Sequence, residues 1–174
     1  KAPEWALVAA DYSQIELRVL AHVSQDPGLL EAFHNDEDIH AATASSVYDV
    51  PIDQVSAEMR RVAKIMNFGV LYGLSAFGIS RQTDLPPDEG TSFIETYFGK
   101  YPGIRSYVDS VKAQVKAMGY VETLLGRRRY IPEISSNNYN VRAAGERMAI
   151  NMPIQGTAAD IIKIAMVRIQ ERLD

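Results

Sequence analysis

Cysteine is absent from the 174 residues. Disulfide staples, cysteine nucleophiles and zinc ribbons are therefore excluded. No run of 18 apolar residues occurs, so no membrane-spanning helix is expected, and no membrane partner. No secretory leader is visible, because Glu4 and Asp11 bracket the first apolar run; a cytoplasmic location is the expectation. Internal repeats and low-complexity segments are missing too. An excess of positive charge is also lacking: the net charge is −4. Taken as a sum, that speaks against a polyanionic partner, since phosphate neutralisation needs clustered Lys or Arg. The distribution speaks the other way. Acids gather at Asp36-Glu37-Asp38 and Asp88-Glu89, bases at Arg60-Arg61-Lys64, Arg127 to Arg129 and Arg142-Arg147.

With 47% hydrophobic residues, the chain can bury a real core, as one domain or parts of two. Trp5 to Ala10, closed by Asp11, is short enough for a buried strand, although periodicity does not exclude a helix. Ser13 with Glu16 three residues on fits a capping box for the helix that follows. Beyond it the pattern is mainly helical. Helices are expected over 27–34, opened by Pro27, over 39–48, from 56 to 73, from 86 to about 100, and over 104–118. Tyr120 to Leu125 and Tyr130-Ile131 read as strands of a hairpin whose turn holds Gly126 and Arg127 to Arg129. Ser135 to Asn138 is a loop that caps the next helix. Pro153 and Gly156 are expected to break the chain before a last helix whose apolar side carries Ile161, Ile162, Ile164, Ala165, Val167 and Ile169.

The most informative stretch is Arg60-Arg61-Val62-Ala63-Lys64-Ile65-Met66-Asn67-Phe68-Gly69-Val70-Leu71-Tyr72-Gly73. On a helix, Arg60, Lys64, Phe68 and Tyr72 recur every fourth position, each turned about 40° from the last. One stripe carries two cations and then two rings. A nucleoside triphosphate has the complementary layout, with phosphates at one end and a flat base at the other. The spacing alone equally fits a solvated edge beside a core.

Asp11, at the end of its apolar run, suits a magnesium site built from one or two carboxylates and substrate phosphates. It equally suits an ordinary strand end or helix cap. Arg147, Asn151 and Gln155, again four apart, share a helical face of hydrogen-bonding side chains. Such groups can test base-pair geometry through minor-groove acceptors common to all four pairs.

Asp11-Tyr12-Ser13-Gln14-Ile15-Glu16-Leu17-Arg18 resembles motif A of the bacterial DNA polymerase I family, and Arg60 to Gly73 resembles its motif B. Gly126 to Tyr130 and Glu146 to Asp160 are similar to that family as well. The resemblance covers essentially all 174 residues. It implies an α+β fold that is mostly helical: part of a polymerase palm, with a β-strand edge plus helices, the helical fingers subdomain and a small β-hairpin. The implied boundaries are 1–23 for a palm part with motif A, 24–140 for fingers with the motif B helix 56–73, and 141–174 for helices that re-enter the palm.

The same resemblance implies roles. Asp11 and the Tyr12 carbonyl hold Mg²⁺, two ions in a complete enzyme. Asp11 and Lys64 serve nucleotidyl transfer from a dNTP to a primer 3′-hydroxyl. Gln14, Glu16, His40, Arg60, Lys64, Phe68 and Tyr72 bind the dNTP, with Glu16 as a gate against ribose and Tyr72 in the template-base position of an open state. Arg147, Asn151 and Gln155 touch primer–template DNA. His22, His34 and Asp160 are assigned to structure. The family's third motif, a His-Asp-Glu hairpin, does not occur in these residues. The chain is therefore expected to need the remaining palm and thumb segments for activity. The alternative is a non-catalytic nucleotide- or DNA-binding helical module.

Overall fold

The computed structural model describes residues 6–73, 76–83 and 86–173. Its helices are α1 (Ile15–Ser24), α2 (Pro27–His34), α3 (Ile39–Tyr48), α4 (Ala57–Leu71), α5 (Ala76–Thr83), α6 (Pro87–Lys100), α7 (Pro102–Met118) and α8 (Tyr139–Leu173). A hairpin of β1 (Tyr120–Glu122) and β2 (Arg128–Tyr130) separates α7 from α8. The α+β, mostly helical fold is as expected, and a single buried cluster runs from α1 to α8.

Local chemistry explains most boundaries. Asp26 caps α2 by accepting from the Gly28 and Leu29 amides, with Pro27 at the first helical position. Asp38 caps α3 through the His40 and Ala41 amides. Ser56 accepts from Met59 N at 3.1 Å and so starts α4. Gly119, at φ 74°, ends α7 in the left-handed region that L side chains rarely adopt.

Several expectations are corrected. Residues 6–12 form no strand, and Leu7 and Val8 are 84% and 86% exposed. A strand needs a neighbour to take its backbone groups, and none of the described residues supplies one. Trp5 lies outside the described residues. The capping box also fails. Gln14, at φ 55°, is the residue before α1 and makes no side-chain cap, while the Ser13 carbonyl accepts from Arg18 Nε at 3.0 Å. Residues 76–83, for which no element was expected, form α5.

Pro153 and Gly156 do not break the last helix; α8 is continuous through both. Pro153 removes one helical hydrogen bond. The surrounding turn is held instead by burial of Met152, Pro153, Ile154 and Ala158 and by the hairpin docked on it. Gly156 is small because the hairpin comes close: a Cβ there would lie 2.6 Å from Thr123 Cγ2. Thr157 Oγ1 accepts from Leu124 N, and Arg127 Nη2 donates to the Gly156 carbonyl at 2.9 Å. Arg127 also pairs with Asp160 at 2.9 Å. Asp160 is thus a mid-helix anchor for the hairpin and not a residue early in a helix. Of the three arginines placed in the turn, Arg128 and Arg129 belong to β2, where Arg128 faces and pairs with Glu122. The expected apolar side of the last helix is largely exposed, with Val167 58% and Ile169 54% accessible.

Candidate functional site

Helices α1, α3 and α4 bring the predicted residues together. Arg60 leaves α4 toward the start of α3, where Nη2 lies 2.7 Å from Asp38 Oδ2. Asp38 uses its other oxygen for the helix cap. Both side chains are nearly half exposed, so the pair is worth about 1 kcal/mol or less and can be exchanged for another anion cheaply. The next cation, Arg61, pairs with Glu58 and donates to the Gln82 carbonyl. Lys64, one turn further along the Arg60 stripe, is exposed, and no ion pair among the described residues takes it up.

Phe68 follows on the same stripe, half-buried, its ring centroid 5.8 Å from that of His40. Tyr72 closes the stripe; its hydroxyl donates to Glu16 Oε2 over a long 3.4 Å. Gln14, just before α1, lies 3.4 Å from His40 Nε2. Residues from three separate sequence segments thus meet in one row, with cations at one end and a carboxylate and phenol at the other.

His40 is not a surface ligand but a buried side chain of α3, 1% exposed. Behind it lies a polar network that sequence reasoning missed. Asn67 Nδ2 is 3.1 Å from His40 Nδ1 and 3.0 Å from Thr43 Oγ1, while the Tyr97 hydroxyl donates to Asn67 Oδ1 at 3.2 Å. The only available signal was Asn67 itself, a polar residue on the buried side of an otherwise apolar helical face. Complete burial pushes the Tyr97 phenol well above its ordinary range, so it stays a neutral donor.

Burial also holds His40 below the usual imidazole range. Asp38 pulls the other way, and Arg60 and Lys64 reinforce burial. Burial alone would raise Asp38, but the Arg60 hydrogen bond and the α3 amides outweigh it and hold the carboxyl low. The pH consequence follows from the sign. An unfolded His titrates near 6.5 and the folded His40 lower, so below 6.5 the unfolded chain binds more protons. The stability contribution is complete above that value and shrinks as pH falls beneath it. Asp38 adds its own loss only in the more acidic range below 3.8. Amide protection factors in α3 and α4, with the pH dependence of intrinsic exchange divided out, are therefore expected to fall from pH 7 to pH 5, and the His40→Gln protein is expected to lose that slope.

Not every predicted residue joins the row. Asp11 and Tyr12 are exposed on the irregular segment before α1, and Tyr12 lies over α8 beside Ile161 and Ile164. Arg147 reaches the far end of α4: Gly73, at φ 60°, sits against its side chain, where a Cβ would come within 2.6 Å of Cγ. Asn151 and Gln155 are half-buried further along α8, and Asn151 Oδ1 is buried with no hydrogen-bond partner.

Among the described residues no group of three or more His, Asp or Glu side chains could hold a metal ion. Asp11 alone fits a site that takes one carboxylate and completes its shell with phosphate, water and other oxygens. No helix of the described residues is long and apolar enough to cross a membrane.

Comparison with known proteins identifies this scaffold. The sequence model of DNA polymerase family A matches residues 1–174. DNA polymerase I of Pseudomonas aeruginosa is 52% identical over 173 residues, covering 99% of this chain and 19% of that protein. DNA polymerase I of Bacillus caldotenax is 51% identical over 170 residues, covering 98% of this chain and 19% of that protein. The chain thus spans about a fifth of the length of these relatives. The solved POL domain of Pol1 from M. smegmatis, in complex with DNA primer-template and dNTP, superposes with a TM-score of 0.90 at 49% identity, over 94% of this chain and 29% of that one. The chain belongs to DNA polymerase family A.

Proposed function

We propose that these residues form the nucleotide-binding part of a template-directed DNA polymerase, with motif A in 1–23, the fingers in 24–140 and palm helices in 141–174. The observation that carries the proposal is the row across α1, α3 and α4. It offers an exposed Lys64 and a cheaply exchanged Arg60 for a triphosphate, then Phe68 for sugar and base, with Glu16 and Tyr72 closing the far end. Likeness to a polymerase domain solved with DNA primer-template and dNTP supports it.

In this reading the residues do the following. Lys64 and Arg60 grip phosphate oxygens and neutralise charge that builds on the leaving group. Phe68 fixes the sugar and base so that the α-phosphorus stands in line with the attacking hydroxyl. Glu16 crowds the ribose 2′ position and disfavours ribonucleotides. Arg147, Asn151 and Gln155 line one side of α8 for the primer–template minor groove, and the unpartnered Asn151 Oδ1 finds a donor there. Asp11 and the Tyr12 carbonyl would supply oxygen ligands for Mg²⁺, which lowers the barrier to hydroxyl attack and pyrophosphate departure. One such carboxylate is a poor two-metal site. Activity is therefore assigned to a longer polymerase that adds further palm and thumb residues, and not to these 174 residues alone.

Lys64→Ala tests the reading. The side chain is exposed, so folding should be unaffected. Loss of a charge-assisted phosphate contact is expected to lower kcat/KM for dNTP in primer extension about 10- to 100-fold. Extension within twofold of the parent enzyme would refute the site.

A further inference from the structure

The hydrogen bonds behind His40 determine which of its nitrogens carries the proton. Thr43 Oγ1 lies 2.8 Å from the Ile39 carbonyl, and its single proton is committed there. Toward Asn67 the Thr43 oxygen is therefore an acceptor, and the Tyr101 hydroxyl also donates to it at 3.4 Å. Asn67 must present its amide nitrogen to Thr43, at 3.0 Å, and its oxygen to the Tyr97 hydroxyl, at 3.2 Å. Thr43 Oγ1 lies within reach of both amide atoms, 3.0 Å from the nitrogen and 3.2 Å from the oxygen, so the Tyr97 hydroxyl decides the orientation: among the described residues its buried proton has only the Asn67 oxygen as acceptor, and turning the amide over would leave that proton unpaired. The same Asn67 nitrogen has its second hydrogen for His40 Nδ1, 3.1 Å away. All four polar side chains of this network, Thr43, Asn67, Tyr97 and His40, are no more than 1% exposed, so water does not offer an alternative arrangement.

We propose that Asn67, held by Thr43 and Tyr97, is a positioning residue that fixes His40 as the Nε2–H tautomer and so turns one neutral N–H donor toward Gln14 and the α1–α4 row. With Asn67 donating to Nδ1, Nε2 carries the proton, so the half-buried Gln14 amide, whose nitrogen stands 3.4 Å from Nε2, turns its oxygen to that N–H when no ligand is present. An anionic oxygen arriving beside Lys64 is a stronger acceptor and takes the N–H over. The groups facing the imidazole are Asp38, Arg60 and Lys64, and the two cations oppose a second proton on the ring. The donor thus stays single and aimed. That its acceptor is a nucleotide phosphate rests on the proposed function; the tautomer itself does not.

The test uses histidine-selective ¹⁵N labelling of the intact polymerase at pH 7.5, with His40 identified by the signals lost in His40→Gln. Expected is an unprotonated Nδ1 and a protonated Nε2 in the absence of nucleotide. A protonated Nδ1, or averaging of the two tautomers as for a solvent-exposed imidazole, would overturn the inference. In Asn67→Leu the lock is removed, and tautomer averaging is expected. An unchanged Nε2–H spectrum there would show that Asn67 does not set it. Should Asn67→Leu not fold, Asn67→Asp serves instead. Its carboxylate can only accept, so the proton is expected on Nδ1, and retention of an unprotonated Nδ1 would equally refute the role. KM for dNTP separates the two claims. It is expected to rise about tenfold in either variant with kcat less affected. A shifted tautomer with an unchanged KM would leave the positioning intact and remove His40 from the nucleotide site.

Discussion

Asp11→Ala in the intact polymerase is expected to reduce the single-turnover rate of primer extension about a thousandfold, the loss of several kcal/mol of metal-borne stabilisation. Two features make the result interpretable. Asp11 is exposed, on a segment without regular structure, so its removal should not disturb folding. No ion pair or hydrogen bond among the described residues ties it to Arg60 or Lys64, so its loss leaves the phosphate-gripping cations in place and dNTP affinity should change far less than rate. Lys64→Ala is expected to do the opposite, raising KM more than it lowers the rate. Rapid-quench extension over a series of dNTP concentrations separates the two. If Asp11→Ala kept its rate within tenfold, the metal would have to be held elsewhere, and the assignment of Asp11 would be lost.

The row of side chains was legible because helical periodicity is unforgiving. Arg60, Lys64 and Phe68 must share one side of α4, whatever packs around it, and Tyr72, just past the helix end, follows through its amide hydrogen bond to the Phe68 carbonyl. The α2 and α3 boundaries were legible for a similar reason: Asp26 before Pro27 and Asp38 before Ile39 act within a few residues of themselves. What failed were inferences that depend on distant partners. Whether residues 6–10 pair as a strand depends on a neighbour that periodicity does not reveal. Pro153 does weaken its own turn, but the hairpin bonds through Thr157 and Arg127 come from more than two dozen residues away. Ser13 and Glu16 have capping-box spacing, yet Glu16 turns toward Tyr72, a residue 56 positions away.

His40 shows the same limit within the site. Resemblance placed it near phosphates, but nothing in Asp38-Ile39-His40-Ala41-Ala42 announces its burial or its link to Asn67 and Tyr97. Net charge misled for a related reason. A sum does not say where charge is left unpaired: Asp38 with Arg60 and Asp160 with Arg127 cancel each other locally without changing it. What a ligand meets is the charge left over at Lys64, not the sum.

Asp26→Ala is expected to destabilise the fold by about 3 kcal/mol, a large loss for a polar side chain. Asp26 is fully buried, yet it lies in no catalytic row. One carboxylate oxygen caps α2, at 3.1 Å from Gly28 N and 3.3 Å from Leu29 N. The other accepts from Gly103 N at 2.9 Å, at the first turn of α7. Losing the cap costs about 1 kcal/mol. Leaving the Gly103 amide without its partner in a closed space costs about 1–3 kcal/mol more. No water replaces the carboxylate easily, because α7 presses close: a Cβ on Gly103 would lie 2.8 Å from Asp26 Cα. The Asn variant keeps an acceptor for one of the two tasks and should recover part of the loss. Faster amide exchange at Leu29, Leu30 and Arg105 is the measurement, with exchange in the β1–β2 hairpin as the internal reference. Equal protection in Asp26→Ala and the parent would mean that the α2–α7 junction is held by apolar packing alone, and that this carboxylate is incidental to it.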